Sequence, residues 1–258
     1  MKFSIGLRWL WALPVCALIP AVAFAQGLEL ADSISGMQVY PQGAEQEQAV
    51  YWFRYEYPQF VAQSPADQSI NAYYQAMRDD LSIFLMPQSV EEQLAMREPE
   101  EPVYYTDLAY QVTANTDSYL SVTLTSQQFL GYAQSERIEA NVFARDGVYA
   151  GQLVTLSQVM GLEQEDDAFD TGASYASQLV YKLVWKIMGE QQASQQQNFF
   201  EGIARTDVEA AFSPETDFYM DLDGNLVFFI QAGIVSSAVE GILNYPFSTA
   251  ELLTAVRE

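Results

Sequence analysis

The chain has 258 residues, with 34 Asp and Glu against 11 Lys and Arg, which gives a formal net charge of −23. So acidic a protein is excluded from the usual modes of nucleic-acid binding, which need clustered cations. It contains no histidine and one cysteine, so a Ser-His-Asp triad and a histidine-ligated zinc site are excluded as well.

The first 25 residues have the pattern of a secretory signal peptide. Lys2 and Arg8 form a positive start, an apolar run covers residues 9–19, and Ala23-Phe24-Ala25 supplies the small residues of a cleavage site. An uncleaved anchor is the alternative, although the apolar run is shorter than the ~20 residues that span a bilayer. We therefore expect a secreted, cell-envelope protein with no stable membrane span and no cofactor.

The segment after the signal peptide begins with polar, turn-rich sequence and then becomes strand-like. Residues 26–49 form an irregular lead-in with a short strand near 37–40, and the aromatic run 50–57 is typical of a strand. Ser64 to Asp67 open an amphipathic helix whose apolar positions continue to Phe84. Alternating residues then predict a meander of antiparallel strands at 104–114, 119–127 and 139–143.

The last hundred residues mix helices with short strands. Apolar spacing predicts a helix over 175–188 that Gly189 closes, and another helix after the glutamine-rich turn. A hairpin around Asp223-Gly224, a strand at 242–247 and a helix at 248–256 end the chain. This order indicates an α+β fold with antiparallel sheets. The expected divisions are a signal peptide (1–25), the lead-in (26–49), an N-terminal domain (50–147) and a C-terminal domain (148–258), the last two packed as one unit.

Carboxylates are the only catalytic groups that the composition leaves in number. A glycoside hydrolase needs two acids across a cleft, and the acidic stretch 163–171 is a candidate cluster, although acids in a loop are usually solvated. Residues 221–225 have the sequence Asp-Leu-Asp-Gly-Asn, which suggests calcium. The glycine is two positions too early for an EF-hand loop, and a hairpin turn explains the same residues.

Aromatic residues are numerous, with 16 Tyr, 15 Phe and 4 Trp. Exposed aromatic rings would suit a glycan ligand, whereas most aromatic side chains fill cores.

Several segments, taken in order, resemble a known family. They resemble the paired extracytoplasmic domains of unknown function (family 3298, preceded by a 4163-type domain) of lysozyme-sensing anti-sigma factors and of some peptidoglycan deacetylases. The resemblance covers about Val50 to Val256. The matching segments are residues 55–60, Ile70-Asn71, 119–122, 129–133, 151–156, Asp217-Phe218-Tyr219, 224–229 and Tyr245-Pro246-Phe247.

The resemblance implies an α+β module that recognises an envelope component. Where the family often has Gly-Gly-Ala-His, this chain has Gly131-Tyr132-Ala133-Gln134, so these four residues are the candidate binding site, without the histidine. A tight turn between strands explains the glycine equally well. The resemblance and the charge together predict a binding or sensing module for a cell-wall glycan or a basic protein such as lysozyme. A carboxylate-dependent glycan hydrolase is the alternative.

Overall fold

The structure is a computed structural model that describes residues 27–45, 48–80, 92, 95, 97–98, 102–131, 133–162 and 174–255. In this part of the chain, eight strands and five helices follow one another. They are β1 (Ile34–Tyr40), β2 (Tyr51–Tyr57), α1 (Pro65–Asp80), β3 (Tyr104–Asn115), β4 (Tyr119–Phe129), β5 (Gln134–Ala144), α2 (Leu156–Met160), α3 (Tyr175–Ala193), α4 (Arg205–Ala211), β6 (Phe218–Met220), β7 (Leu226–Ile230), β8 (Leu243–Phe247) and α5 (Thr249–Ala255).

The first five strands form one sheet in their sequence order, β1-β2-β3-β4-β5. The meander β3-β4-β5 is antiparallel, as its alternation predicts, and a bulge shifts the β3–β4 register between Val112 and Ala114. The β2–β3 pair is parallel, which the sequence pattern did not predict. A parallel pair needs a long crossover, and the connection from β2 to β3 is long enough because it contains α1.

Helix α1 covers one face of this sheet. Ser64 and Asp67 cap its first turn reciprocally, because the Asp67 carboxylate accepts the Ser64 backbone N–H at 2.9 Å while the Ser64 hydroxyl accepts the Asp67 N–H at 3.2 Å. Ile70 and Tyr74, one turn apart, have no exposed surface and pack on the sheet. We call this side of the sheet the α1 face. Its members include Tyr57, Leu108, Leu120, Val122, Leu124 and Phe143.

The last three strands form a second, antiparallel sheet in the order β6-β7-β8. Its residues and those of α2 to α5 build a second hydrophobic cluster, to which the first sheet contributes Ala114, Val142 and Ala144. This contact covers part of the side opposite α1, which we call the opposite face. The α+β class is confirmed, and the cluster crosses the expected division at residue 148. The division itself stays a prediction.

A buried serine joins the two sheets. The Ser121 hydroxyl in β4 is fully buried, accepts the Met220 backbone N–H at 3.0 Å and is bound by the Thr113 hydroxyl at 2.9 Å. A buried N–H group that has no hydrogen-bond partner destabilises the folded state, because its lost bond to water is not replaced. Ser121 therefore fixes where the second sheet docks on the first.

Helix α3 is longer than its sequence predicts. The glycine expected to close it, Gly189, lies inside the helix, which continues to Ala193. Gly189 does not have the positive φ that a closing glycine adopts. The residues after it are good helix formers, and the helix ends where the Ser194 N–H bonds back to the Glu190 carbonyl at 3.0 Å.

A half-buried carboxylate connects the starts of α2 and α3. Glu215 accepts the Ser157 N–H at 3.0 Å and the hydroxyls of Ser157 at 2.8 Å and Ser177 at 3.2 Å, and the Ser174 hydroxyl also donates to it. Burial by itself would raise the pKa of Glu215, but the hydrogen bonds from Ser174 and Ser157 outweigh burial and lower it. The charged form of Glu215 is therefore part of the folded structure.

Replacing Ser121 by alanine is expected to destabilise the protein by about 1–3 kcal/mol, because the Met220 N–H loses its buried partner. Urea unfolding measures this free energy. Thr113→Val is the matched control and should cost less, because Ser121 keeps its bond to Met220. Equal losses from the two variants would contradict the role given to Ser121.

Glu215→Gln is expected to lose about 1.5–3 kcal/mol of stability at neutral pH, because charge-assisted hydrogen bonds are weakened. The folded pKa lies below the ordinary value of 4.5, so the stabilisation is complete above that value and is lost as the pH falls through the folded pKa. Urea titrations of both proteins at pH 7 and at successively lower pH should show the difference shrinking below the ordinary value. A difference that stays constant with pH would contradict this.

Candidate functional site

A row of aromatic side chains lies on the part of the opposite face that the second sheet leaves partly exposed. The strand registers place Val39, Trp52, Tyr105, Phe129 and Gln134 side by side across β1 to β5. All three aromatic residues are half-buried. Strand alternation makes this arrangement, because Trp52 and Tyr105 point away from the neighbours that pack on the α1 face.

The rings in this row stack on one another. The Trp52 and Tyr105 ring centroids are 4.9 Å apart with planes 9° from parallel, and the Tyr105 and Phe129 centroids are 6.1 Å apart at 29°. Cross-strand aromatic pairs of this kind stabilise a sheet. Their faces cover each other, so the row presents mainly ring edges to solvent.

A polar row lies next to the aromatic row on the same face. It consists of Met37, Arg54, Asp107, Gln127 and Glu136, again in register across the five strands. Arg54 binds the Asp107 carboxylate with both arms of its guanidinium, at 2.8 Å for the Nε bond. We call the two rows together the sheet strip, defined by Trp52, Arg54, Tyr105, Asp107, Gln127, Phe129, Gln134 and Glu136.

Some charged side chains of the sheet strip are paired, and others are exposed at its border. Hydrogen bonding to Asp107 and its negative charge raise the pKa of Arg54, and the guanidinium carbon also lies 5.9 Å from the centre of the Trp52 ring. Arg54 is therefore neutralised by Asp107 where it stands. Glu136, and Glu56 beside Arg54 in β2, have exposed side chains, so the strip has an acidic border.

Of the four residues expected at the binding site, Gly131, Ala133 and Gln134 lie at the end of the sheet strip. Gly131 and Ala133 belong to the turn between β4 and β5, and Gln134 is the first residue of β5, paired with Phe129. Tyr132 lies outside the described residues. The site predicted from the sequence stays a prediction, and it did not include Trp52 and Tyr105, which the structure places in the same strip. The signal for them was present, because alternation along β2 and β3 places both on the side away from α1.

Gly131 has a structural reason to be glycine. Its φ of +95° is in the left-handed region, and a Cβ at this position would overlap the Tyr104 hydroxyl. The turn interpretation is thus supported by geometry, while a binding role for the residue stays a prediction.

The aspartates after β6 form the hairpin turn that the sequence favoured. The Asp221 carboxylate accepts the N–H groups of Asp223 and Asn225 and the Asn225 side-chain amide, each at 2.9 Å. Burial would raise the pKa of Asp221, but these bonds lower it. The acidic stretch 163–171, the other candidate cluster, lies outside the described residues. Within the described ranges, no group of three acidic side chains is arranged to hold a metal ion.

Gly131→Ala is expected to cost about 3 kcal/mol of unfolding free energy, because strain at positive φ adds to the overlap with Tyr104. Gly224→Ala is the matched control. Gly224 has a similar φ of +81° but open space around its Cβ position, so strain alone should cost about 1 kcal/mol. Thermal or urea unfolding compares the two, and an equal cost would contradict the overlap.

Comparison with known proteins gives structural likeness without a sequence match. No protein-family profile and no curated protein sequence matches the chain. A solved structure of a DUF3298 family member from Bacteroides fragilis covers 89% of this chain and 99% of its own, at 12% identity and a TM-score of 0.54. A DUF3298 family protein from Pseudomonas aeruginosa PAO1 covers 89% and 94%, at 12% identity and a TM-score of 0.51. Over most of its length, the chain has a fold similar to that of these DUF3298 family proteins.

Proposed function

We propose that the protein is an extracytoplasmic binding module that recognises a basic protein, of which lysozyme is the example, through the sheet strip. The observation that carries the proposal is the half-buried aromatic row bordered by exposed acids. Protein interfaces commonly have an aromatic centre and a polar rim. The sheet strip has both parts on rigid strands.

The geometry of the rings favours a protein over a glycan as the ligand. A sugar stacks on a free ring face, whereas the faces of Trp52, Tyr105 and Phe129 are largely occupied by one another. Ring edges and their apolar surroundings can still be buried by another protein. The aromatic row is therefore better suited to a protein ligand than to stacking on sugars.

The charge of the chain supports the same choice. Its net charge of −23 attracts a cationic partner over a long range, and such attraction raises association rates. Glu56 and Glu136 bring that charge to the border of the sheet strip, and Arg54 is neutralised by Asp107. A basic protein would thus meet an acidic rim around an apolar centre.

Export is part of the proposal and rests on the sequence. The positive start, apolar run and Ala23-Phe24-Ala25 site lie in residues that the structure does not describe. None of the helices in the described part of the chain is long and apolar enough to cross a membrane. A lysozyme-like ligand would be met outside the cytoplasm, so the proposed ligand and the proposed location agree.

The alternative, a carboxylate-dependent glycan hydrolase, has little support from this surface. Such an enzyme needs two acids with separate roles across a cleft. In the sheet strip, Asp107 is bound by Arg54, which leaves Glu136 without a second free acid in the same two rows.

Lysozyme is expected to bind the full protein, and a cation in the middle of the sheet strip should weaken that binding. Gln127→Lys places a positive charge among the strip residues, and we expect about a tenfold loss of affinity at low salt. Isothermal titration calorimetry measures it. Raising the salt from ~0.05 to ~0.5 M should weaken binding of the wild type, because exposed charges are screened.

The matched control is Ser135→Lys. Ser135 is exposed like Gln127, and its replacement by lysine adds the same positive charge. Ser135, however, lies on the α1 face of β5. Its affinity for lysozyme should stay within about twofold of the wild type. Equal losses from both variants, or no lysozyme binding at all, would overturn the proposal. Binding of purified peptidoglycan that Gln127→Lys abolishes would assign the strip to a glycan instead.

A further inference from the structure

A cleft of about 790 Å³ lies on the other side of the same sheet, between the end of α1 and the α1 face. This volume is within the range of sites for small molecules. Side chains of a strand alternate between faces, so the cleft is separate from the sheet strip even though β3, β4 and β5 contribute to both.

The floor and walls of the cleft are apolar. Phe53 and Leu124 are buried beneath it, and Met77 and Leu108 line it with half-buried side chains. Both are reachable from solvent. They offer an apolar surface against which the carbon skeleton of a small ligand can be buried.

Charged groups of both signs surround this apolar surface. Asp80, Arg137 and Glu139 are exposed and line the cleft, and Ser126 adds a hydroxyl. Glu139 accepts the Asn141 side-chain amide at 3.2 Å, which restricts its position. Among the described residues, Arg137 forms no ion pair, so its donors are available to a ligand.

One wall is fixed by contact between the two sheets. The Gln231 side chain, which follows β7, accepts the Ile138 backbone N–H at 3.2 Å and donates to the Ile138 carbonyl at 2.7 Å. Its amide thus pairs with the edge of β5 as a neighbouring strand would. A wall held in this way is present before any ligand binds, which lowers the cost of binding.

We propose that this cleft binds a small, neutral, hydroxyl-rich ligand, of the size and chemistry of a mono- or disaccharide. An anionic ligand would meet Asp80 and Glu139, and a cationic ligand would meet Arg137. Neutral hydroxyl groups can use all three, since they donate to carboxylates and accept from a guanidinium. The carbon-bound hydrogens of a sugar ring fit the apolar surface of Met77 and Leu108. This site goes beyond the proposed recognition of a basic protein and does not depend on it.

The test is titration of the full protein with N,N′-diacetylchitobiose and cellobiose, followed by calorimetry and by nuclear magnetic resonance shifts. At least one disaccharide should bind, and Glu139→Gln should weaken it about tenfold, as for loss of a charged hydrogen-bond acceptor. Glu136→Gln is the matched control, because it makes the same change in the same strand but on the opposite face. It should leave disaccharide binding unchanged.

A second pair of variants separates this site from the sheet strip. Ser126→Trp fills the cleft and should abolish disaccharide binding, while lysozyme binding stays. Gln127→Lys should do the reverse, because Ser126 and Gln127 are adjacent in β4 and lie on different faces. Circular dichroism and thermal melting confirm that each variant is folded.

Three outcomes would overturn the saccharide site. They are no binding of either disaccharide, equal losses from Glu139→Gln and Glu136→Gln, and tighter binding of a charged sugar such as glucosamine or glucuronate than of the neutral ones. Each is independent of whether lysozyme binds.

Discussion

The antiparallel pairing of β3, β4 and β5 is the constraint on which the rest of the structure depends. In β4, Leu120, Val122 and Leu124 face α1, while Ser121 and Thr123 between them face the second sheet, and all five are buried. A strand covered on both sides over this stretch must be central. Because its side-chain period is two, a slip of one residue would exchange the two faces and remove both cores at once.

In the part of the chain that the structure describes, neither face of the first sheet is covered along its whole length. On the α1 face, the helix covers one part, and a cleft opens beside its end. On the opposite face, the second sheet covers the part near Ser121, and the sheet strip is left partly exposed. Binding surfaces built on strands are held more rigidly than those on loops. The two proposed sites thus lie on parts of one sheet that α1 and the second sheet leave uncovered.

Local patterns in the sequence identified most of the elements correctly. The capped start of α1, the β3-β4-β5 meander and the Asp223-Gly224 hairpin depend on side chains a few residues apart, and each was predicted near its observed place. Gly189 was misleading, since a glycine near a helix end predicts a stop, but its conformation here is helical. The parallel β2–β3 pair was missed because parallel pairing depends on where a long connection returns.

The candidate site shows the same limit. Gly131 and Gln134 were indicated by a resemblance of local sequence, and they do lie at the end of the sheet strip. Trp52 and Tyr105 are 53 residues apart and become neighbours only through that same parallel pairing. Alternation along each strand places each ring on the side away from α1, but it does not specify that β2 and β3 pair.

By itself, the amino-acid sequence determined the α+β class, the acidic surface and the lack of histidine chemistry, because composition and short-range periodicity carry that information. Only the tertiary structure decided which aromatic residues are buried, which stack in a row at the surface, and that Arg54 is neutralised by Asp107. The physical reason is that burial and charge pairing are set by contacts between distant strands. Such contacts follow from register and packing, which no short stretch of sequence specifies.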